Sequence, residues 1–291
     1  MRKRRLGDRY DGYKIRKVDP LFQLIPIIMR TRLDSQVLFD ETIDITALEK
    51  FIKTMRAGEM PNLRLIHVIM AAAVRTISQR PRINRFVSGK KIYARSYIRF
   101  SIAVKRKMSI DGEETTVMPE FQPTDTLADV VKTLDRVFAE NLAGSADSEN
   151  DTDIIAKVVG ACPTFLKSMV VALVRGLDNH GLLPRFINQA SPFHSSVFIT
   201  DVGSLGIGPV YHHLYEFGTC SMFLAVGKKE TQTVLSEDGA PMAKKLLPIR
   251  LVVDERICDG FYHASAIKLF KKYMKNPQLL LTPPENVVED L

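Results

Sequence analysis

The chain has 291 residues, 45% hydrophobic and 25% charged, with a formal net charge of +8. That is ordinary for a soluble globular protein and long enough for a large core, in one large domain or two small ones. No apolar stretch approaches the ~20 residues of a membrane-spanning helix, and no signal-peptide core follows the basic start, so a cytoplasmic protein is expected.

Residues 1–9 form a short basic tail, opened by Met1-Arg2-Lys3-Arg4-Arg5, that is expected to stay solvated. Net charge of this sign suits nucleic acid, an anionic surface or a phosphorylated cofactor. No zinc-finger spacing or RNA-binding signature accompanies it, so nucleic acid is not the expected partner. Residues 37–43 read as a strand. Thr46 is placed to cap a helix over 46–56, with Glu49 at the capping-box position. Residues 63–78 carry apolar side chains at helical spacing. A hairpin follows, 85–88 and 91–94 about Gly89, then strands at 98–105 and 115–121. Helices are expected at 125–141 and 163–178, separated by a small, polar, acidic surface loop at 142–153.

The carboxyl third reads as strands at 196–200, 222–226, 231–235 and 247–253, then a helix at 262–274 and a short acidic surface tail at 283–291. Helices and strands interleave without regular βαβ periodicity. This favours a two-layer α/β fold, a mixed sheet covered by helices, over a doubly wound parallel sheet. The whole of 1–291 is read as one catalytic-type domain. Three cysteines far apart (Cys162, Cys220, Cys258) suit reduced thiols, and no metal site is expected.

The stretch richest in chemistry is 247–260, LPIRLVVDERICDG. An apolar strand runs into Asp254, Glu255, Arg256 and Asp259. Gly260 then allows a tight turn before a helix. Charges at the end of a buried strand mark either a site or a structural ion pair, such as Arg256 with Asp259.

This segment resembles the DHRxxDG motif of dihydrolipoamide acyltransferases, the catalytic domains of 2-oxoacid dehydrogenase complexes, and the HHxxxDG motif of chloramphenicol acetyltransferases. Asp254, Arg256, Asp259 and Gly260 match, and Glu255 stands where both families place a histidine. Residues 196–206, SVFITDVGSLG, resemble FTISNLGxxG, with Thr200 on the serine, Asp201 on the asparagine and Gly203 on the glycine. CSMFLAVGK at 220–228 is similar to ACILAVG, and Arg80-Pro81-Arg82-Ile83-Asn84 to YPRLN. Arg30-Thr31-Arg32-Leu33 and the stretch 42–48 resemble the first helix, strand and helix of chloramphenicol acetyltransferase. The resemblance spans roughly residues 10–280.

It implies a chloramphenicol acetyltransferase-like fold and a coenzyme A-dependent acyltransferase that assembles as trimers or multiples of trimers, with sites between subunits. In the family the histidine is the general base, the serine stabilises an oxyanion, and the aspartate is structural, paired with an arginine. Carried over, Glu255 takes the base position and Thr200 the oxyanion donor. Asp259, Arg256 and Gly260 are structural, with Arg256 or Arg16 as the partner of Asp259. Nearby histidines are alternative bases: His263 first, then His194, His212 and His213. As residue types, glutamate titrates near 4.3, histidine near 6.5 and a thiol near 8.5, so exchanging histidine for glutamate adds about 3 kcal/mol to thiol deprotonation. The competing implication is an inactive homologue acting as an oligomeric scaffold or regulatory subunit. Neither a lipoyl nor a peripheral-subunit-binding domain fits before residue 30. The acyl group is therefore expected from free acyl-coenzyme A, or from a lipoyl group on another chain of a 2-oxoacid dehydrogenase-type assembly.

Overall fold

A computed structural model describes residues 3–105, 114–143, 161–236 and 238–290. The expected loop at 142–153 lies outside the described residues from 144 onward.

The main layer is an eight-stranded mixed sheet. Its spine is β11 (Pro241–Asp254), a strand long enough to serve three partners. Along one edge it pairs with β2 (Gln36–Asp44); along the other it pairs first with β10 (Glu230–Leu235), then with β9 (Met222–Val226). The sheet continues through β8 (Val197–Asp201), β5 (Ile98–Lys105) and β6 (Glu114–Val117), with β7 (Glu120–Phe121) on β5. The pairs β5–β8 and β8–β9 are parallel and the rest antiparallel. The expected strand over 115–121 is thus two. Pro119 lacks an N–H for the ladder, and its carbonyl instead accepts the Phe100 N–H at 3.1 Å.

A second, three-stranded sheet is built from β1 (Gly12–Lys14), β4 (Lys91–Arg95) and β3 (Arg85–Ser88). The β3–β4 turn has φ of 53° at Gly89 and 62° at Lys90, the double left-handed pair of a type I′ hairpin. A Cβ at Gly89 would lie 2.5 Å from the Asn179 carbonyl oxygen, so glycine is required twice over.

Helices α2 (Thr46–Arg56), α3 (Leu65–Gln79), α4 (Leu127–Ala143) and α7 (Gly260–Lys275) cover one face of the main sheet. The core there draws on α3 (Val68, Met70, Val74) and on inward strand residues (Ile43, Ile199, Val253), each at most 2% exposed. Among the described residues, the opposite face carries a small cluster, Phe198, Leu214, Cys220, Phe223, Ala225 and Val252. Helices α1 (Pro20–Ile28), α5 (Thr164–Asn179) and α6 (Arg185–Ala190) lie outside the main helical layer. Thr46 does not cap α2: its N–H is taken by Asp44 at 3.0 Å, and Glu49 pairs with Lys229 at 2.7 Å instead of closing a capping box.

Both tails are tied down. Arg9, at the end of the stretch expected to be solvated, is 4% exposed and bridges Asp11 at 2.8 Å and Asp178 at 2.6 Å. Burial alone would raise the Asp178 pKa, but His194, 3.2 Å away, and Arg9 outweigh it and hold the carboxyl at about 2.

His67, fully buried in α3, gives the fold a pH dependence. Its Nδ1 accepts the Arg64 N–H at 3.2 Å, so Nε2 carries the proton, with Asp135 3.6 Å off. Burial lowers its pKa to about 4; Asp135 opposes this, and Arg64 and Arg56 reinforce it. The unfolded chain binds a proton near 6.5 and the folded chain only near 4. The unfolded state therefore holds more protons in that window, and stability falls as pH falls through it. The loss is expected to be about 3 kcal/mol between pH 7 and pH 4. Urea denaturation across this range measures it; His67→Gln, which keeps an acceptor for Arg64, should flatten the curve, and an unchanged slope would refute the assignment.

Candidate active site

The loop after β11 is held by the turn that precedes β2. Asp254 is fully buried and accepts four hydrogen bonds: Arg256 Nε and Nη2 at 2.8 Å each, the Arg256 N–H at 3.1 Å and Ser35 Oγ at 3.0 Å. Arg256, 3% exposed, also donates to the Met29 carbonyl at 3.3 Å. The Glu255 N–H donates to the Ser35 carbonyl at 2.8 Å, which fixes its backbone while its side chain stays half-buried. Arg32, 5% exposed, adds a second cation near Asp254; burial depresses its pKa, and Asp254 works against that. Ser35, Arg32 and Met29 were not among the predicted site residues. Arg30-Thr31-Arg32-Leu33 carried the only signal, and nothing local says that this turn grips a strand end 219 positions away.

The ion pair of the loop is therefore Arg256 with Asp254, not Arg256 with Asp259. Arg16, the other expected partner of Asp259, binds Asp8 at 2.9 Å. Asp259 is exposed and acts locally as the N-cap of α7, accepting the Tyr262 N–H at 2.8 Å. The helix begins at Gly260, whose φ is not left-handed and whose Cβ position is open, so the expected tight turn there is a capped helix start.

Thr200, next to last in β8, lies on the face away from the helices. It pairs with Ala225 of β9, which pairs with Arg250 of β11, which pairs with Asp40 of β2, so the four share one row across the sheet. Arg250 closes that row by an ion pair with Asp40 and lies over the Tyr211 ring at 5.2 Å. The chain then turns sharply: Asp201 accepts the Ser204 N–H at 3.2 Å, and a Cβ on Gly203 would lie 2.4 Å from the Gly227 carbonyl oxygen. Burial raises the Asp201 pKa, and the backbone N–H groups of Ser204 and Gly203 oppose it.

Register places Glu255 and Thr200 at opposite rims. Thr200 is level with Arg250, and Glu255 lies five residues further along the chain, just past the end of β11, and two strands over. At about 3.3 Å per residue and 4.8 Å per strand this is roughly 19 Å within one chain.

The histidines divide by burial. His263 is 3% exposed; its Nδ1 donates to the Asp259 carbonyl at 3.1 Å, and its ring lies 3.5 Å from Cys258 Sγ. It lines an apolar cavity of about 70 Å³ between α3, α7 and the sheet. Burial lowers its pKa and pushes the Cys258 thiol well up, so both are neutral. His194 is fully buried against Asp178, and His212 stacks on Phe223 at 4.0 Å between centroids. Among the described residues no group of three His, Cys, Asp or Glu side chains is arranged to hold a metal, and no helix is long and apolar enough to cross a membrane.

The family model of the 2-oxoacid dehydrogenase acyltransferase catalytic domain matches residues 193–282, which contain both rims. Dihydrolipoamide acetyltransferase of Azotobacter vinelandii has a similar fold: 18% identity, 92% of this chain and 95% of that one, TM-score 0.55. That enzyme's structure was examined for the role of a serine, a histidine and an asparagine in its catalytic mechanism. The cubic core of the pyruvate dehydrogenase multienzyme complex (16% identity, 92% and 95% covered, TM-score 0.52) and a chloramphenicol acetyltransferase (11%, 91% and 98%, 0.52) are also similar. No curated protein sequence matches the chain. The fold is the chloramphenicol acetyltransferase-like α/β fold, and the carboxyl third resembles the 2-oxoacid dehydrogenase acyltransferases.

Proposed function

We propose that this chain is an acyltransferase of the 2-oxoacid dehydrogenase type, assembled as a trimer or a multiple of trimers, with each site formed between two copies. The observation that carries the reading is the opposed placement of Glu255 and Thr200, each beside exposed apolar side chains. Ile28 and Leu33 lie one and two residues from Met29 and Ser35, which hold the Glu255 loop, and Leu205, Ile207, Val210 and Tyr211 follow Thr200 in the chain, each at least 41% exposed. Grouped exposed apolar side chains are ordinarily covered by a partner. Seating one rim on the other brings a carboxylate and a hydroxyl to one channel and covers both patches.

In the proposed reaction Glu255 takes the proton of a coenzyme A or dihydrolipoyl thiol, and the thiolate attacks the acyl carbonyl of the other thioester. The oxyanion accepts a hydrogen bond from the Thr200 hydroxyl. Collapse breaks the original C–S bond, and the departing thiolate recovers the proton from Glu255. Asp254 is neutralised by Arg256 and His263 faces the interior, so Glu255 is the loop carboxylate best placed to act. The net charge of +8 suits a phosphorylated donor such as acyl-coenzyme A. A lipoyl group on another protein of the cytoplasm is the proposed alternative donor.

The test is turnover of acetyl-coenzyme A with a panel of dithiol and alcohol acceptors, with light scattering for the assembly. Thr200→Val, nearly isosteric, is expected to lower kcat by about 10²–10³-fold with KM little changed, as loss of one oxyanion donor does. A trimer that turns over no acceptor above the buffer rate would make the chain a scaffold, and a monomer would remove the shared site altogether.

A further inference from the structure

The carboxyl-terminal tail is seated where the charge pattern calls for a ligand. Arg85, 6% exposed, holds Asp290 in a two-point clamp, Nε to Oδ2 at 2.7 Å and Nη2 to Oδ1 at 2.6 Å. Besides that carboxylate, Arg85 reaches the Ile257 carbonyl at 3.4 Å, so the clamp adjoins the loop that presents Glu255. The tail leading to Asp290 lies along α3. Arg75 donates to the Thr282 carbonyl at 2.6 Å, Gln79 to the Asn286 carbonyl at 2.7 Å, and the Val288 N–H to the Ser78 carbonyl at 3.0 Å. Most of its side chains are exposed, so it rests on the surface without building core.

Beside the clamp is a cleft of about 270 Å³ walled by the tail itself and by Tyr13, Ser78, Asn84, Arg95 and Tyr97. Among the described residues, two buried polar atoms of its lining have no hydrogen-bond partner: Asn84 Oδ1, on a residue 6% exposed, and Arg95 Nε, on a residue 8% exposed. Unpaired buried atoms of this kind are rare without a ligand or water to satisfy them. Glu120 and Glu289 also line the cleft; Glu120 is paired with Arg99 at 2.9 Å, and Arg95 supplies a cation to the lining. Remove the tail, and the Arg85 guanidinium beside the cleft loses its carboxylate partner.

We propose that Arg85 and this cleft form a binding site for the oxyanion of a small ligand, a phosphate or carboxylate group, and that Asp290 occupies it as a tethered, displaceable stand-in. A planar guanidinium takes either anion through the same two-point contact. The tether keeps Asp290 at an effective concentration of order millimolar, so a free ligand displaces it only by adding contacts in the cleft. The site is independent of the acyl-transfer reading and is tested by binding alone.

The probes are inorganic pyrophosphate and succinate, titrated calorimetrically at fixed ionic strength. The full chain is expected to bind one of them weakly. Asp290→Asn, and a chain ending at Pro284, should bind it at least tenfold more tightly, and Arg85→Gln in the Asp290→Asn background should abolish the gain. Preference for pyrophosphate identifies a phosphorylated ligand and preference for succinate a carboxylate. Should the shortened chain fail to fold by circular dichroism, the unmodified protein still decides. Saturating probe should speed hydrogen exchange at the Val288 amide, which is bonded to Ser78 only while the tail is seated. Equal affinity in the full chain and Asp290→Asn, a gain that survives Arg85→Gln, or an unchanged Val288 exchange rate each overturns the proposal.

Discussion

Glu255→Gln is expected to lower acyl-transfer kcat by about 10²–10⁴-fold while the assembly and its melting temperature stay unchanged. The backbone of this residue is set by the Ser35 carbonyl and its side chain is half-buried, so the exchange removes a proton acceptor without removing packing. The reverse experiment discriminates more sharply. As residue types, histidine is a base about two pKa units closer to a thiol than glutamate, so Glu255→His is expected to raise the rate roughly a hundredfold. A general base predicts loss with glutamine and gain with histidine, read at saturating acetyl-coenzyme A. Equal rates for all three side chains, with light scattering confirming the same assembly, would remove Glu255 from the reaction.

Asp254→Asn is expected to be the most damaging change to the fold at this end of the sheet. Arg256 is 3% exposed and Asp254 fully buried, and each is the other's charge partner. Breaking such a pair from one side leaves an uncompensated buried charge and costs about 3–5 kcal/mol. The cost reaches the site, because Ser35 binds Asp254 through its hydroxyl and Glu255 through its carbonyl. Urea denaturation measures the loss. Asp254→Leu with Arg256→Met, which removes both charges, should restore most of the stability. A cost under about 1 kcal/mol for Asp254→Asn would mean that water already solvates Arg256.

The two results separate what the loop is for. Glu255 is predicted to matter for rate and little for stability; Asp254, one residue earlier, for stability first. Adjacent carboxylates differ this way because the strand ends between them: Asp254 still pairs with Gln36 in the ladder, and Glu255 is the first residue past it.

Short-range order was legible in the sequence. Apolar spacing placed α3, alternation placed β5, and Gly89 marked the hairpin, because each depends on neighbours a few residues apart. The strand running into Asp254, Glu255, Arg256 and Asp259 was legible in the same way, as was its resemblance to an acyl-transfer loop. Other features needed contacts across the chain. The short β1, α1 and α6 carry too little periodicity to stand out. Asp259 faces solvent and caps a helix because Asp254, held by Ser35, already neutralises Arg256. His263 is near Glu255 in sequence, yet α7 turns its ring inward against Cys258. The acidic tail looked like loose surface until Arg85, 205 positions earlier, was found beneath Asp290. The sequence by itself determined the residue types and the local elements of this protein. Only the tertiary structure decided which charges meet, because charge pairing depends on distance in space and burial, and neither is set by position along the chain.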